Sequence, residues 1–118
     1  MKQGFSTHLL DEAIERQRQE QEELRLYLIK KLFAILDKLN QEVFFKEAYL
    51  FGSIDKPHGF LKNSDIDIGF IGLRDEEFFN VMSYLSREIG IDVDVIQLEG
   101  HRLSEKIKKE GIKWMRKN

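Results

Sequence analysis

Cysteine is absent from this 118-residue chain, which excludes disulfides, thiolate zinc sites and cysteine nucleophiles. Proline occurs once, as Pro57, in a stretch that reads as a loop, where it breaks nothing. No apolar run approaches the length needed to span a bilayer, and the first residues lack a signal-peptide pattern. These absences predict a cytoplasmic protein. A strong charge of one sign is missing too: a net charge of −2 argues against a general grip on DNA or RNA. No repeat or linker divides the chain, and 118 residues suffice for one domain with a single core.

Charge is nevertheless unevenly placed. Between Asp11 and Glu23 six acidic residues stand against Arg16 and Arg18, whereas residues 101–118 carry seven Lys or Arg against Glu105 and Glu110. The acidic stretch lies within a long helical pattern, capped by Ser6 or Thr7 and running to about Asn40. Its second half is amphipathic: Leu24, Leu28, Leu32, Ile35 and Leu39 recur at helical spacing, widened by Ile29, Phe33 and Leu36. From Glu15 to Glu23 no residue is apolar, so this part is expected to face no core. Upstream, Phe5, Leu9, Leu10 and Ile14 form a detached apolar patch, either a frayed extension or a docking face for another chain.

Beyond this helix the pattern changes to short runs. Glu47 to Phe51 reads as a strand that ends abruptly in Gly52-Ser53. Asp65 to Ile71 alternates with period two, so Ile66, Ile68 and Phe70 share one face while Asp65, Asp67 and Gly69 share the other. Two carboxylates and a glycine are an odd surface for an ordinary strand. At about 6.6 Å between alternate Cα atoms, their repulsion is roughly 2.5 kcal/mol at an effective dielectric near 20, and a cation is expected to offset it. A helix follows from Asp75 to Ile89, with Phe78, Met82, Leu85 and Ile89 on its apolar face and Gly90 as terminator. Ile91 to Leu98 is the third strand, with Ile91, Val93 and Val95 inward and Asp92 and Asp94 outward. Leu103 and Ile107 mark a last helix ending at Gly111, with Ile112, Trp114 and Met115 packing back.

In order, a strand, Gly52-Ser53, a loop, Ser64-Asp65-Ile66-Asp67 on a second strand and Asp94 on a third resemble the nucleotidyltransferase superfamily of the DNA polymerase β type. Size and motif order are similar to its minimal members, over roughly residues 24 to 112. The resemblance implies an α/β (α+β) fold: a small mixed sheet, helices packed on one face, the other face left open, and a long amino-terminal helix. It implies one domain over residues 1–118, comprising a helical extension (1–23), a core (24–112) and a basic tail (113–118).

The resemblance also implies a chemistry. Nucleotidyl transfer is an in-line displacement at the α-phosphorus, which two magnesium ions assist by stabilising the attacking and leaving oxygens, and magnesium takes oxygen ligands. Asp65 and Asp67 are implied to hold both ions, and Asp94 the one that activates the incoming hydroxyl. Gly52, Ser53 and Lys56 are implied to meet the triphosphate of ATP. The family often shows Gly-Ser-x-Ala-Arg-Gly. Here Asp55 replaces the alanine, Lys56 the arginine, and the loop to Gly59 is longer, which alters the phosphate grip and not the metal set. Asp92 reads as a solvated neighbour, His58 as a loop residue, and His8 and His101 have no metal-site spacing.

Many such proteins pair with a HEPN-domain toxin and act as antitoxin, in some systems by adding AMP to a toxin tyrosine. That role leads for this chain. A non-catalytic binding module, or transfer to a small molecule or RNA end, stands beside it, and the amino-terminal helix is also a surface through which the chain could oligomerise.

Overall fold

The computed structural model describes residues 2–60 and 63–116, with side chains from residue 8 onward. Helix α1 spans Lys2–Leu39, so it starts upstream of Ser6 and Thr7, which are not its cap. Its apolar stripe seats where the spacing predicts. Leu28, Leu32, Ile35, Leu36 and Leu39 are buried, and Leu24, Ile29 and Phe33 pack around them. Residues 8–20 are exposed throughout. They project from the body, which is why the molecule measures 64 Å by 28 and 25 Å.

Four strands form one sheet: β1 (Glu47–Phe51), β2 (Ile66–Ile71), β3 (Val93–Gln97) and β4 (Ile112–Met115), in the order β3-β2-β1-β4. The β1 strand is antiparallel to both β2 and β4, and β2 is parallel to β3. A parallel pair needs a crossover. Here α2 (Phe78–Ile89), entered through a 3-10 turn at Asp75–Glu77, supplies it. Gly90 ends α2 at φ 78°, its N–H donating to the Ser86 carbonyl, a left-handed cap that glycine adopts without strain.

The core lies between the sheet and the pair α1 and α2. Ile66, Ile68 and Phe70 of β2 and Val93 and Val95 of β3 all point into it, as their alternation requires. Val81 joins Leu85 and Ile89 as a buried residue of α2, a position the apolar-face reading left out.

Two expectations need correction. Ile112–Met115 is not merely a packed end: it is the strand β4, held by the register Ala48↔Trp114 and Leu50↔Ile112. Trp114 anchors it, buried against Phe45 with ring centroids 4.9 Å apart and donating Nε1–H to Asp37 at 2.8 Å. The opposite sheet face is also not wholly open. A seventh element, α3 (Ser104–Glu110), places Ile107 there with Tyr49 and Leu98 in a second apolar cluster. Gly69 makes this possible, since a Cβ there would stand 2.8 Å from the Leu98 Cγ. Leu98 therefore covers the strand where a side chain would have kept it off.

Candidate active site

The site forms where β1 stops. Gly52 adopts φ 82°, a region open to glycine and strained for other residues, and turns the chain into a 3-10 segment, Gly52–Asp55. Because Phe51 is paired with Asp67 across the antiparallel ladder, this turn emerges directly beside Asp67. A Cβ on Gly52 would lie 2.5 Å from the Asp67 Oδ2. Glycine is thus required here twice, by conformation and by proximity.

The parallel ladder supplies the second contact. Asp67 and Asp94 are Cα partners on β2 and β3, and neighbouring strands lie about 4.8 Å apart, so the two carboxylates are adjacent on one sheet face. Asp65 stands one residue before β2 and exposed, Asp94 is exposed, and Asp67 between them is half-buried. Burial raises the Asp67 carboxyl above its usual range, and the negative charges of Asp94 and then Asp65 push it further. Among the described residues no Lys, Arg or His pairs with any of the three. Nor are three acidic or histidine side chains already gathered around one point there. Uncompensated carboxylates repel, and oxygen donors of this kind are the ligand type that magnesium takes.

The phosphate-side candidates are brought to the same edge. Ser53 sits half-buried in the turn after Gly52. Lys56, expected to reach phosphate, places Nζ 2.9 Å from the Asp55 Oδ1, and the Asp55 side chain is only 4% exposed. The Asp55 carboxylate holds the Lys56 ammonium above its ordinary pKa. Asp55 is therefore matched by its neighbour rather than left as a stray charge. Between this turn and α3 lies a small cleft of about 140 Å³, lined among others by Phe51, Gly52, Lys56, Leu103 and Lys106. Asp92 is exposed and lies before β3, its carbonyl accepting from the Ile66 N–H.

Sequence reasoning missed the residues that hold this turn. Arg25 of α1 is buried and donates Nε–H to the Ile54 carbonyl at 2.8 Å. It also pairs with Glu22 at 2.6 Å, and the other Glu22 oxygen accepts the His58 N–H at 2.7 Å. That amide is the main cause of a lowered Glu22 pKa, with Arg25 and His58 charges adding to it. The stretch around Glu22 does face the fold, through charge instead of apolar surface. A signal existed: Arg25 stands in line with Leu28 and Leu32 on the buried stripe.

A mixed four-stranded sheet with paired aspartates beside a Gly-Ser turn is the architecture of nucleotidyltransferases. The family model described as "Polymerase beta, Nucleotidyltransferase" matches residues 29–118, and the chain belongs to that family. Its fold is shared by a crystal structure of a toxin–antitoxin with AMP-PNP (TM-score 0.61, 22% identity, 73% of this chain and 74% of that one). A mutant of the MntA–HpeT toxin–antitoxin matches at TM-score 0.60, with 22% identity and the same coverage. A protein assigned as a nucleotidyltransferase from Sulfolobus solfataricus matches at TM-score 0.52, with 30% identity over 80% of this chain and 86% of that one. No curated protein matches the chain.

Proposed function

We propose that this nucleotidyltransferase transfers AMP from ATP to a tyrosine hydroxyl of a HEPN-type toxin in the cytoplasm, and so acts as its antitoxin. The adjacency of Asp67 and Asp94, with Gly52 against Asp67, carries the reading. The similarity to toxin–antitoxin structures, one with AMP-PNP, supports it. Asp65 and Asp67 are the ligands proposed for two magnesium ions, with Asp94 completing the set. Bound there, the ions stabilise charge on the attacking and leaving oxygens. Gly52 allows close approach of the triphosphate, and Ser53 offers a hydroxyl and an amide to its terminal phosphates. Lys56 contributes charge once it exchanges Asp55 for phosphate. Exposed Asp94 faces the incoming hydroxyl and receives its proton as the new P–O bond forms and pyrophosphate leaves.

Intact mass spectrometry of the co-expressed partner tests this directly. AMP additions are expected with wild type and absent with Asp65→Ala.

One observation favours a second reading. Leu9, Leu10 and Ile14 are 46–60% exposed on the projecting half of α1, a docking face that needs no chemistry; Phe5 has its side chain outside the described residues. A partner silenced without modification identifies the chain as a binding module.

A further inference from the structure

Arg25 is a charged residue that the fold buries, at 6% exposure, and the chemistry above does not use it. A buried guanidinium is costly unless its donors are met. Both of the groups it meets lead to the turn after β1. Its Nε–H satisfies the carbonyl of Ile54, whose side chain is fully buried. Its Nη1 orients Glu22, which in turn receives the amide of His58. His58 is the non-glycine residue with left-handed backbone among those described, at φ 63°. Such a conformation persists only where its surroundings impose it. The loop from Gly52 to Gly59 is thus fastened at its carbonyl side and its amide side by one pair of residues, three apart on α1.

We infer that Arg25, together with Glu22, is a positioning pair for nucleotide binding: it sets the Gly52-Ser53 backbone at the spacing a triphosphate requires. This deepens the transferase reading and rests on it. The fastening acts on the phosphate-side turn, whereas Asp67 and Asp94 take their positions from strand pairing. Its loss therefore separates two properties that global destabilisation would lower together.

The experiment uses the full chain and the variants Arg25→Lys and Glu22→Gln. Lysine keeps the charge and lacks the fork that serves Ile54 and Glu22 at once. Glutamine removes the charge from Arg25's partner and leaves the Ile54 contact. ATP affinity with magnesium and Mn²⁺ affinity alone are measured by calorimetric titration, and amide exchange is followed across residues 53–59 and 66–71. Arg25→Lys is expected to bind ATP roughly tenfold more weakly, with Mn²⁺ affinity unchanged. Protection is expected to fall in the loop and hold in β2, with Glu22→Gln changing in the same sense by less. Both variants binding ATP as wild type overturns the inference, whatever happens to their melting temperatures. If Arg25→Lys does not fold, Glu22→Gln decides alone. Wild type that binds no ATP overturns the transferase reading, and the positioning role falls with it; intact ATP binding beside a loosened loop overturns the positioning role only.

Discussion

Gly52 and Asp67 touch so closely that the first carbon of any side chain on Gly52 would fall 2.5 Å from an Asp67 carboxylate oxygen. Gly52→Ala therefore faces both a φ of 82° and a displaced aspartate. It is expected to cost about 1–3 kcal/mol of stability from the backbone alone, read by urea melts. Loss of metal-dependent ATP binding is expected beyond what that destabilisation explains.

The raised Asp67 pKa has an opposite consequence for stability. The folded state keeps this proton to higher pH than the unfolded chain. As pH rises from the ordinary aspartate range to the raised value, the unfolded state ionises first and stability falls. Metal-free Asp67→Asn should therefore melt a few degrees above wild type at neutral pH. The two should converge in acid below the ordinary aspartate range, where both side chains are neutral. Equal melting at neutral pH would show that neither burial nor the charges of Asp94 and Asp65 penalise the ionised Asp67.

Adding magnesium and ATP should reverse that order. A ligand bound only to the native state stabilises by about 2.7 kcal/mol at a hundred times its Kd. Wild type is expected to gain by this amount, while Asp65→Asn with Asp67→Asn gains little. Equal shifts in both proteins would mean that the site is elsewhere.

Asp94 should separate binding from turnover. It is exposed on β3 and beside Asp67, and the proposed mechanism gives it the acceptor hydroxyl and not the triphosphate. Asp94→Asn is expected to keep most of its ATP affinity and lose AMP transfer. A parallel loss of both in titration and radiolabel assays would contradict this division.

Removing residues 1–20 is expected to weaken toxin binding while leaving metal-dependent ATP binding intact. Residues 8–20 of the deleted segment are exposed, and it ends before Glu22 and Arg25. Surface-immobilised toxin provides the comparison; unchanged affinity would exclude the Leu9, Leu10 and Ile14 face as a dock.

The aspartates were legible in the sequence because alternation assigns a face to every residue of a strand, and Ile66, Ile68, Val93 and Val95 fixed which face was inward. Their closeness was not, since no local pattern sets the register between strands. The β4 strand escaped because four residues are too few to show a period, and Lys113 and Arg116 made them read as a tail. Arg25 escaped for a different reason. Charge is normally read as solvent-facing, yet a residue in line with Leu28 and Leu32 has to meet the body of the protein whatever its type.

The position of β4 also governs how the molecule is made. The β1 strand sits inside the sheet, between β2 and β4, but β4 follows β1, β2 and β3 in the chain and leaves the ribosome after them. Until residues 112–115 appear, the outer edge of β1 has bare N–H and C=O groups, the kind of edge that recruits strands from other chains. Unfinished chains held together on one message thus present Glu47–Phe51 as an unpaired edge that the finished sheet covers. The same four residues that read as a tail are what ends that exposure.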